Sequence, residues 1–158
     1  MEFLIVSDSH GRIDRLAQIT EACSACPPDR ILFLGDGIND CGALSRMSGK
    51  EVLAVSGNCD ILSPEPLERI TQAEDKKILM LHGHTRGVKH GLERLEYRAK
   101  EVGADIVLYG HTHERDCHVS GGVWFFNPGS VGFPSGGGPS FGRLTVKNGI
   151  VSFSFGEL

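Results

Sequence analysis

The chain of 158 residues predicts an α/β fold in which two mixed sheets stack and helices lie outside them. Three observations carry this reading. Apolar, β-branched runs alternate with helix-period segments through the first half, the pattern of βαβ units and a parallel sheet. From Arg115 onward strand-like runs follow one another with no helix between them. And five apolar runs (FLIVSDSH, RILFLGD, EVLAVSGN, KILMLHGH and DIVLYGHTH) each end in a short polar word.

EFLIVS is the first strand. A helix from Ile13 to Cys26 follows, with apolar residues at Ile13, Leu16, Ile19, Ala22 and Cys26, and Pro27-Pro28 stops it. RILFLG is the second strand, Ile38 to Met47 a short helix closed by Ser48-Gly49, and EVLAVS the third strand. LERIT and KKILMLHG form a hairpin around AED. Val88 to Val102 reads as an amphipathic helix through Val88, Leu92, Leu95, Ala99 and Val102, with Gly103 as its stop. DIVLYG, RDCHVS, GVWFFN, SFGRLTVKN and IVSFSF are strands, the last two joined by a turn at Lys147-Asn148-Gly149. Gly129 to Gly142 is a Gly-rich loop, read either as a rim over substrate or as an interface loop of a homodimer or homotetramer. No repeat and no linker divides the chain, so residues 1–158 are expected to form a single domain.

Composition excludes several function classes. A net charge of −4 argues against general binding to nucleic acid or anionic membrane, because no basic surplus exists to displace counterions. A phosphate ester bound locally is still allowed, since bound cations would dominate the field there. No apolar stretch reaches the ~20 residues of a membrane span, and MEFLIVSDSH lacks the basic start of a signal peptide. Five cysteines, an odd number, favour free thiols and a cytoplasmic location.

In an α/β sheet, ligands collect beyond the carboxyl ends of the strands. The polar words therefore gather Asp8, His10, Asp36, Asn58, His82, His111 and His113 at one edge. Asp8 and His10, one residue apart, would leave the same face of an extended chain. Asp36 has two oxygens and can bridge two ions; Asn58 offers an amide oxygen and the histidines imidazole nitrogens. A mixed N/O set without thiolate points to Mn, Fe, Zn, Ni or Co rather than Mg or Ca. Any one of these residues alone would read as an ordinary capped or solvated polar group; seven in strand-end context do not.

The words DSH, GD, GN, HG and GHTH, in this order and at these intervals, resemble the calcineurin-like metallophosphoesterase superfamily. The compact size, His82-Gly83-His84 and Asn127-Pro128-Gly129-Ser130 resemble its small YfcE-type branch. The resemblance spans Phe3 to about Phe155 and implies a four-layer α/β/β/α sandwich with two divalent ions, manganese first and nickel, iron, zinc or cobalt as alternatives. Carried over, Asp8, His10 and His113 would hold one ion, Asn58, His82 and His111 the other, and Asp36 would bridge them. The implied reaction is hydrolysis of a small phosphate ester, a diester by preference, with in-line attack by a hydroxide bridging the two metals.

This chain departs from the wider pattern at Gly57-Asn58-Cys59-Asp60, where many relatives carry His in place of Cys59. Cys59 and His84 are the candidate catalytic residues: Cys59 stands where the leaving-group acid is expected, and His84 would touch substrate phosphate or orient His82. Without a general acid, metals alone would favour good leaving groups such as aryl or activated diesters. Asp60 reads as a carboxylate that supports or caps its neighbours. Cys23 and Cys26 have CxxC spacing but no matching second pair, so both read as thiols at a helix end, and Cys41 and Cys117 as core-packing residues. His90 and His118 read as surface or capping residues, and Trp124-Phe125-Phe126 as filling both faces of a sheet. The competing functions are a catalytically weak scaffold protein on the same fold, and a nuclease, which the charge balance disfavours.

Overall fold

Strands that are apolar on both faces need a layer on each side, and this chain supplies four layers. The structure, a computed structural model, describes residues 1–158. Its elements are β1 (Glu2–Val6), α1 (Ile13–Ala22), β2 (Arg30–Phe33), α2 (Cys41–Ser48), β3 (Val52–Ala54), β4 (Glu68–Ala73) and β5 (Lys76–Leu81). They continue with α3 (Glu93–Val102), β6 (Ile106–Leu108), β7 (Arg115–Ser120), β8 (Val123–Pro128), β9 (Ser140–Lys147) and β10 (Ile150–Glu157). No helix is long and apolar enough to cross a membrane.

One sheet has the order β10-β9-β1-β2-β3 and the other β4-β5-β6-β8-β7. Each is built on a parallel trio, β1-β2-β3 and β5-β6-β8, flanked by antiparallel strands. Alternate residues of a strand point to opposite layers. Phe3, Ile5, Leu32 and Leu34 thus meet Ile78, Met80, Ile106, Leu108 and Phe126 between the sheets. Leu4, Val6, Ile31 and Phe33 turn outward onto Leu16 and Ile19 of α1 and Leu44 of α2. On the other outer face Leu79, Leu81, Val107 and Phe125 pack on Leu95 and Ala99 of α3. Each such buried side chain contributes about 1.5–3 kcal/mol. Trp124 and Phe126 face the inter-sheet core and Phe125 the helix, so the aromatic run does fill both faces.

The helices are shorter than periodicity predicts. The first ends at Ala22 rather than Cys26: Cys26 N–H bonds three residues back to Cys23, a tightened turn leading into Pro27-Pro28. Cys23 is buried and Cys26 exposed. The third begins at Glu93, not Val88, because Gly87 (φ 63°) and Gly91 (φ 145°) hold left-handed backbone that no α-helix continues through. Val88 still packs with α3, from a loop. Strand β9 claims the end of the expected Gly-rich loop, starting at Ser140. Cys117, expected in or near the core, is exposed on edge strand β7, whereas Cys41 packs partly against the α1–α2 core.

Glu68 ties β4 to the helical layer. Its Oε1 accepts hydrogen bonds from Arg86 Nε (3.0 Å) and Nη2, and its Oε2 one from Arg98 Nε of α3 (2.9 Å). Burial works to raise the Glu68 pKa, but the two guanidinium groups outweigh it and lower it. A lowered folded-state pKa gives stability that is present above the unfolded value, about 4.3, and is lost as pH falls through the folded one. Glu68→Gln is expected to cost about 1 kcal/mol in urea unfolding at pH 7, with the gap to wild type closing below about pH 4.

Candidate metal centre

All six parallel strands deliver their C-terminal ends to one rim, and each carries one of the polar words or the Asn127 loop. Asp8 and His10 follow β1, Asp36 follows β2, and Asn58 follows β3. His82 and His84 follow β5, and His111 and His113 follow β6.

The backbone at these turns is not extended. Asp8 (φ 54°), His10 (φ 47°), Asp36 (φ 55°), His111 (φ 68°) and His113 (φ 61°) are all left-handed. Asp and His tolerate that region better than most residues, yet such strain concentrates at functional sites. The expectation that Asp8 and His10 project together from an extended strand is therefore corrected: two successive left-handed kinks aim them into the same cup. Buried Asp40 holds this loop, accepting from Ser9 Oγ (2.5 Å) and Gly11 N–H (2.9 Å).

Asp60 does the same for the next two turns. Its carboxylate accepts from the backbone N–H groups of Asp36 (2.7 Å), Gly37 (2.9 Å), Ile38 (2.9 Å) and Gly57 (2.8 Å). The β2 and β3 ends are locked together, with Asp36 Oδ1 accepting from Cys59 N–H at 2.8 Å. The close approach explains a glycine: a Cβ on Gly57 would lie 2.5 Å from Asp36 N and overlap its carboxylate.

Within the cup, donors for a cation converge. His82 Nδ1 lies 2.7 Å from Leu34 O and His113 Nδ1 2.7 Å from Phe133 O. A carbonyl can only accept, so both Nδ1 atoms carry the hydrogen and both Nε2 lone pairs face inward. His113 Nε2 is 3.0 Å from Asp8 Oδ1. His82 Nε2 is 3.2 Å from Asn58 Oδ1, 3.2 Å from His111 Nδ1, 3.4 Å from Asp36 Oδ2 and 3.8 Å from Asp8 Oδ1. His10 Nε2 stands 3.8 Å from both Asp8 Oδ1 and Asp36 Oδ2. Buried Asp8 Oδ1 and His10 Nε2 have no hydrogen-bond partner at all.

Lone pairs aimed at lone pairs in a buried cup repel unless positive charge sits among them. The titration preferences say the same. Burial tends to raise the Asp36 carboxyl, but contact with His82 and the Cys59 N–H lower it. Burial tends to lower His82, but Asp36 and Asp8 raise it. His113 is raised by Asp8, whereas His111 is lowered to about 4 by burial and by His82 beside it. The donor set, two carboxylates with imidazole nitrogens and an amide oxygen, suits divalent transition metals, and the carbonyl-fixed tautomers are the support such ligands usually have.

His84 Nδ1 is buried and unpartnered, and its ring is 5.4 Å from that of His82. Since Leu34 already orients His82, His84 is not its orienter. Cys59 is exposed at the rim, but its Sγ lies within 4.8 Å of ligand atoms of His10 and Asp36, so one thiol does border the N/O set that the sequence suggested. The Asn127 loop stands beside the cup: Ser130 Oγ donates to Asp8 O (2.9 Å), and Asn127 Nδ2 donates to Gly110 O (3.1 Å) and Thr112 Oγ1 (3.0 Å). The CxxC cysteines, His90 and His118 join none of the groups of metal-ligating atoms; His118 stacks on Phe125 instead. The carbonyls of Leu34 and Phe133 have no side-chain signature in sequence. Asp40, an acid opening a helix three residues after Gly37, offered a weak one.

Asp60→Ala leaves four backbone donors without their acceptor and is expected to cost about 2–4 kcal/mol in urea unfolding, with Asp60→Asn losing about half as much.

Residues 1–149 match the family model for the calcineurin-like phosphoesterase superfamily domain. A Bacillus subtilis (strain 168) protein named probable metallophosphoesterase YsnB is 35% identical over 157 residues, covering 98% of this chain and 90% of the relative. Phosphodiesterase YfcE of Escherichia coli (strain K12) is 29% identical over 168 residues, covering 91% and 87%. A Streptococcus pneumoniae TIGR4 structure described as a predicted phosphoesterase superposes with a TM-score of 0.84 at 26% identity, covering 99% of this chain and 88% of that one. The strand-end words, the four layers and these matches agree: the chain belongs to the calcineurin-like phosphoesterase superfamily.

Proposed function

We propose that this chain is a dinuclear metal-dependent phosphodiesterase acting on small phosphate esters. Asp8, His10 and His113 would hold one divalent ion, Asn58, His82 and His111 the second, and Asp36 would lie between them. The observation that carries the reading is the set of buried, inward lone pairs that no lysine, arginine or other donor of the chain meets. Divalent ions in such a cup supply Lewis-acid activation of water at neutral pH and neutralise charge on the phosphoryl oxygens. Manganese is the first choice, with nickel, iron, zinc and cobalt as alternatives on the same donors.

The chain's own groups do the positioning. Leu34 O and Phe133 O fix which nitrogens of His82 and His113 face the cup. The Cys59 N–H and the Asp60 clamp hold Asp36 in place. His84, whose Nδ1 has no hydrogen-bond partner, would touch a phosphoryl oxygen. No serine or cysteine nucleophile is required. At position 59 a thiol replaces the imidazole of many relatives. Burial and the nearby Asp36 raise its thiol pKa, and cations held in the cup would oppose that shift. Five unpaired cysteines support a reducing compartment such as the cytoplasm.

Metal-free protein reloaded separately with Mn, Ni, Zn, Fe or Mg tests this on bis(p-nitrophenyl) phosphate and p-nitrophenyl phosphate. Manganese is expected to restore turnover, faster on the diester, and Asp36→Asn or His113→Ala to lower kcat/KM by about 100-fold or more. Occupied sites with no turnover of either ester would instead support a scaffold. Cleavage confined to long nucleic acids, with steep salt dependence, would point to a nuclease.

A further inference from the structure

The loop between β3 and β4 presents two bare apolar side chains beside the cup. Ile61 is 85% and Leu62 97% exposed, the two largest exposures among the big apolar residues. Leu62 also sits at φ 60°, a conformation that costs a branched side chain with no local hydrogen bond to offset it. Backbone and side-chain bonds hold the loop in this shape. Ser56 Oγ bonds to Ser63 Oγ (2.8 Å) and Glu65 O (2.7 Å), Ile61 N–H to Cys59 O (3.1 Å), and Ser63 N–H to Asp60 O (3.2 Å).

With Ile38, Asn39, Cys59 and Pro64 these residues line a depression of about 310 Å³. A cavity of about 150 Å³ is enough to hold benzene. The depression adjoins the metal cup through Cys59: its sulfur lies with His10 and Asp36, and its backbone bonds Asp36. Asp60, the one charged residue there, spends its carboxylate on backbone N–H groups. A phosphoryl group in the cup would therefore direct one organic substituent toward Ile38, Ile61, Leu62 and Pro64, beside the neutral polar groups of Asn39 and Ser63 and with no charged group free to bind a second phosphate.

We infer that this depression is the subsite for an apolar arm, aryl or alkyl, of a phosphodiester substrate, with Ile61 and Leu62 as its specificity-determining walls. The inference rests on the phosphoesterase reading above. Ring burial against these walls should favour an aryl arm over a methyl arm by about tenfold.

Manganese-loaded protein is assayed on phenyl p-nitrophenyl phosphate and methyl p-nitrophenyl phosphate. Water cleaves the same P–O bond in both, releasing p-nitrophenolate, so only the retained arm differs. The ratio of kcat/KM, phenyl over methyl, is expected to be about ten or more in wild type and to fall toward one in Ile61→Ser/Leu62→Asn, through KM. Asparagine suits the left-handed backbone at position 62, so the variant should fold. Ile150→Ser, the loss of another well-exposed apolar side chain, on β10, should leave the ratio unchanged. Calorimetry with phenylphosphonate and methylphosphonate, which are not hydrolysed, should give the same preference and the same loss. Turnover of both esters at a ratio near one, or a high ratio that survives the double variant, overturns the subsite while the phosphoesterase reading stands. No turnover of either ester, with no phosphonate preference, overturns both. A smaller particle in sedimentation by the double variant, with the ratio intact, would make this loop an interface between copies and overturn the subsite.

Discussion

Two carboxylates, Asp8 and Asp36, are buried in one cup with no lysine or arginine to pair them. Burying charge is costly unless opposite charge answers it. Here the answering groups are imidazoles, and two of those have their hydrogen already committed to a carbonyl on the far side. The cup is thus short of positive charge by construction. The surrounding shell makes sense as the means of holding it in that condition: five left-handed residues, the Asp40 and Asp60 anchors and the glycine at position 57.

Strain on this scale needs a stiff frame. Two parallel trios placed face to face provide it, because each strand end is fixed by packing on both sides of its sheet. The polar rim costs stability and the four-layer core supplies it, a division often found at functional sites. The same logic extends to Leu62, where a strained and exposed leucine on an anchored loop has no structural benefit of its own.

Much of this was legible in the sequence, for identifiable reasons. Runs such as FLIV, ILFL and KILML are continuous because both faces are buried, so these strands could be read directly. The strand-end words were legible because topology sends every parallel strand's end to one rim. The segment from Val88 to Leu92 misled because its apolar spacing is helical, while Gly87 and Gly91 decide its backbone. The tautomer-fixing carbonyls of Leu34 and Phe133 carry no residue-type signal. Asp60 was read as a supporting carboxylate, but its four backbone partners come from two separate turns, after β2 and after β3, that only the fold brings together. Position 62 was invisible for a similar reason: a leucine in sequence says nothing of a positive φ.

The proposed function requires that the cup hold two cations. Titrating Mn²⁺ into metal-free protein, with bound metal counted by elemental analysis and thermal unfolding followed in parallel, tests it most directly. Two ions bound per chain are expected, with a Tm that rises with metal concentration, as binding to the folded state alone requires. Binding of one ion or none at saturating metal, with Tm unchanged, would contradict it.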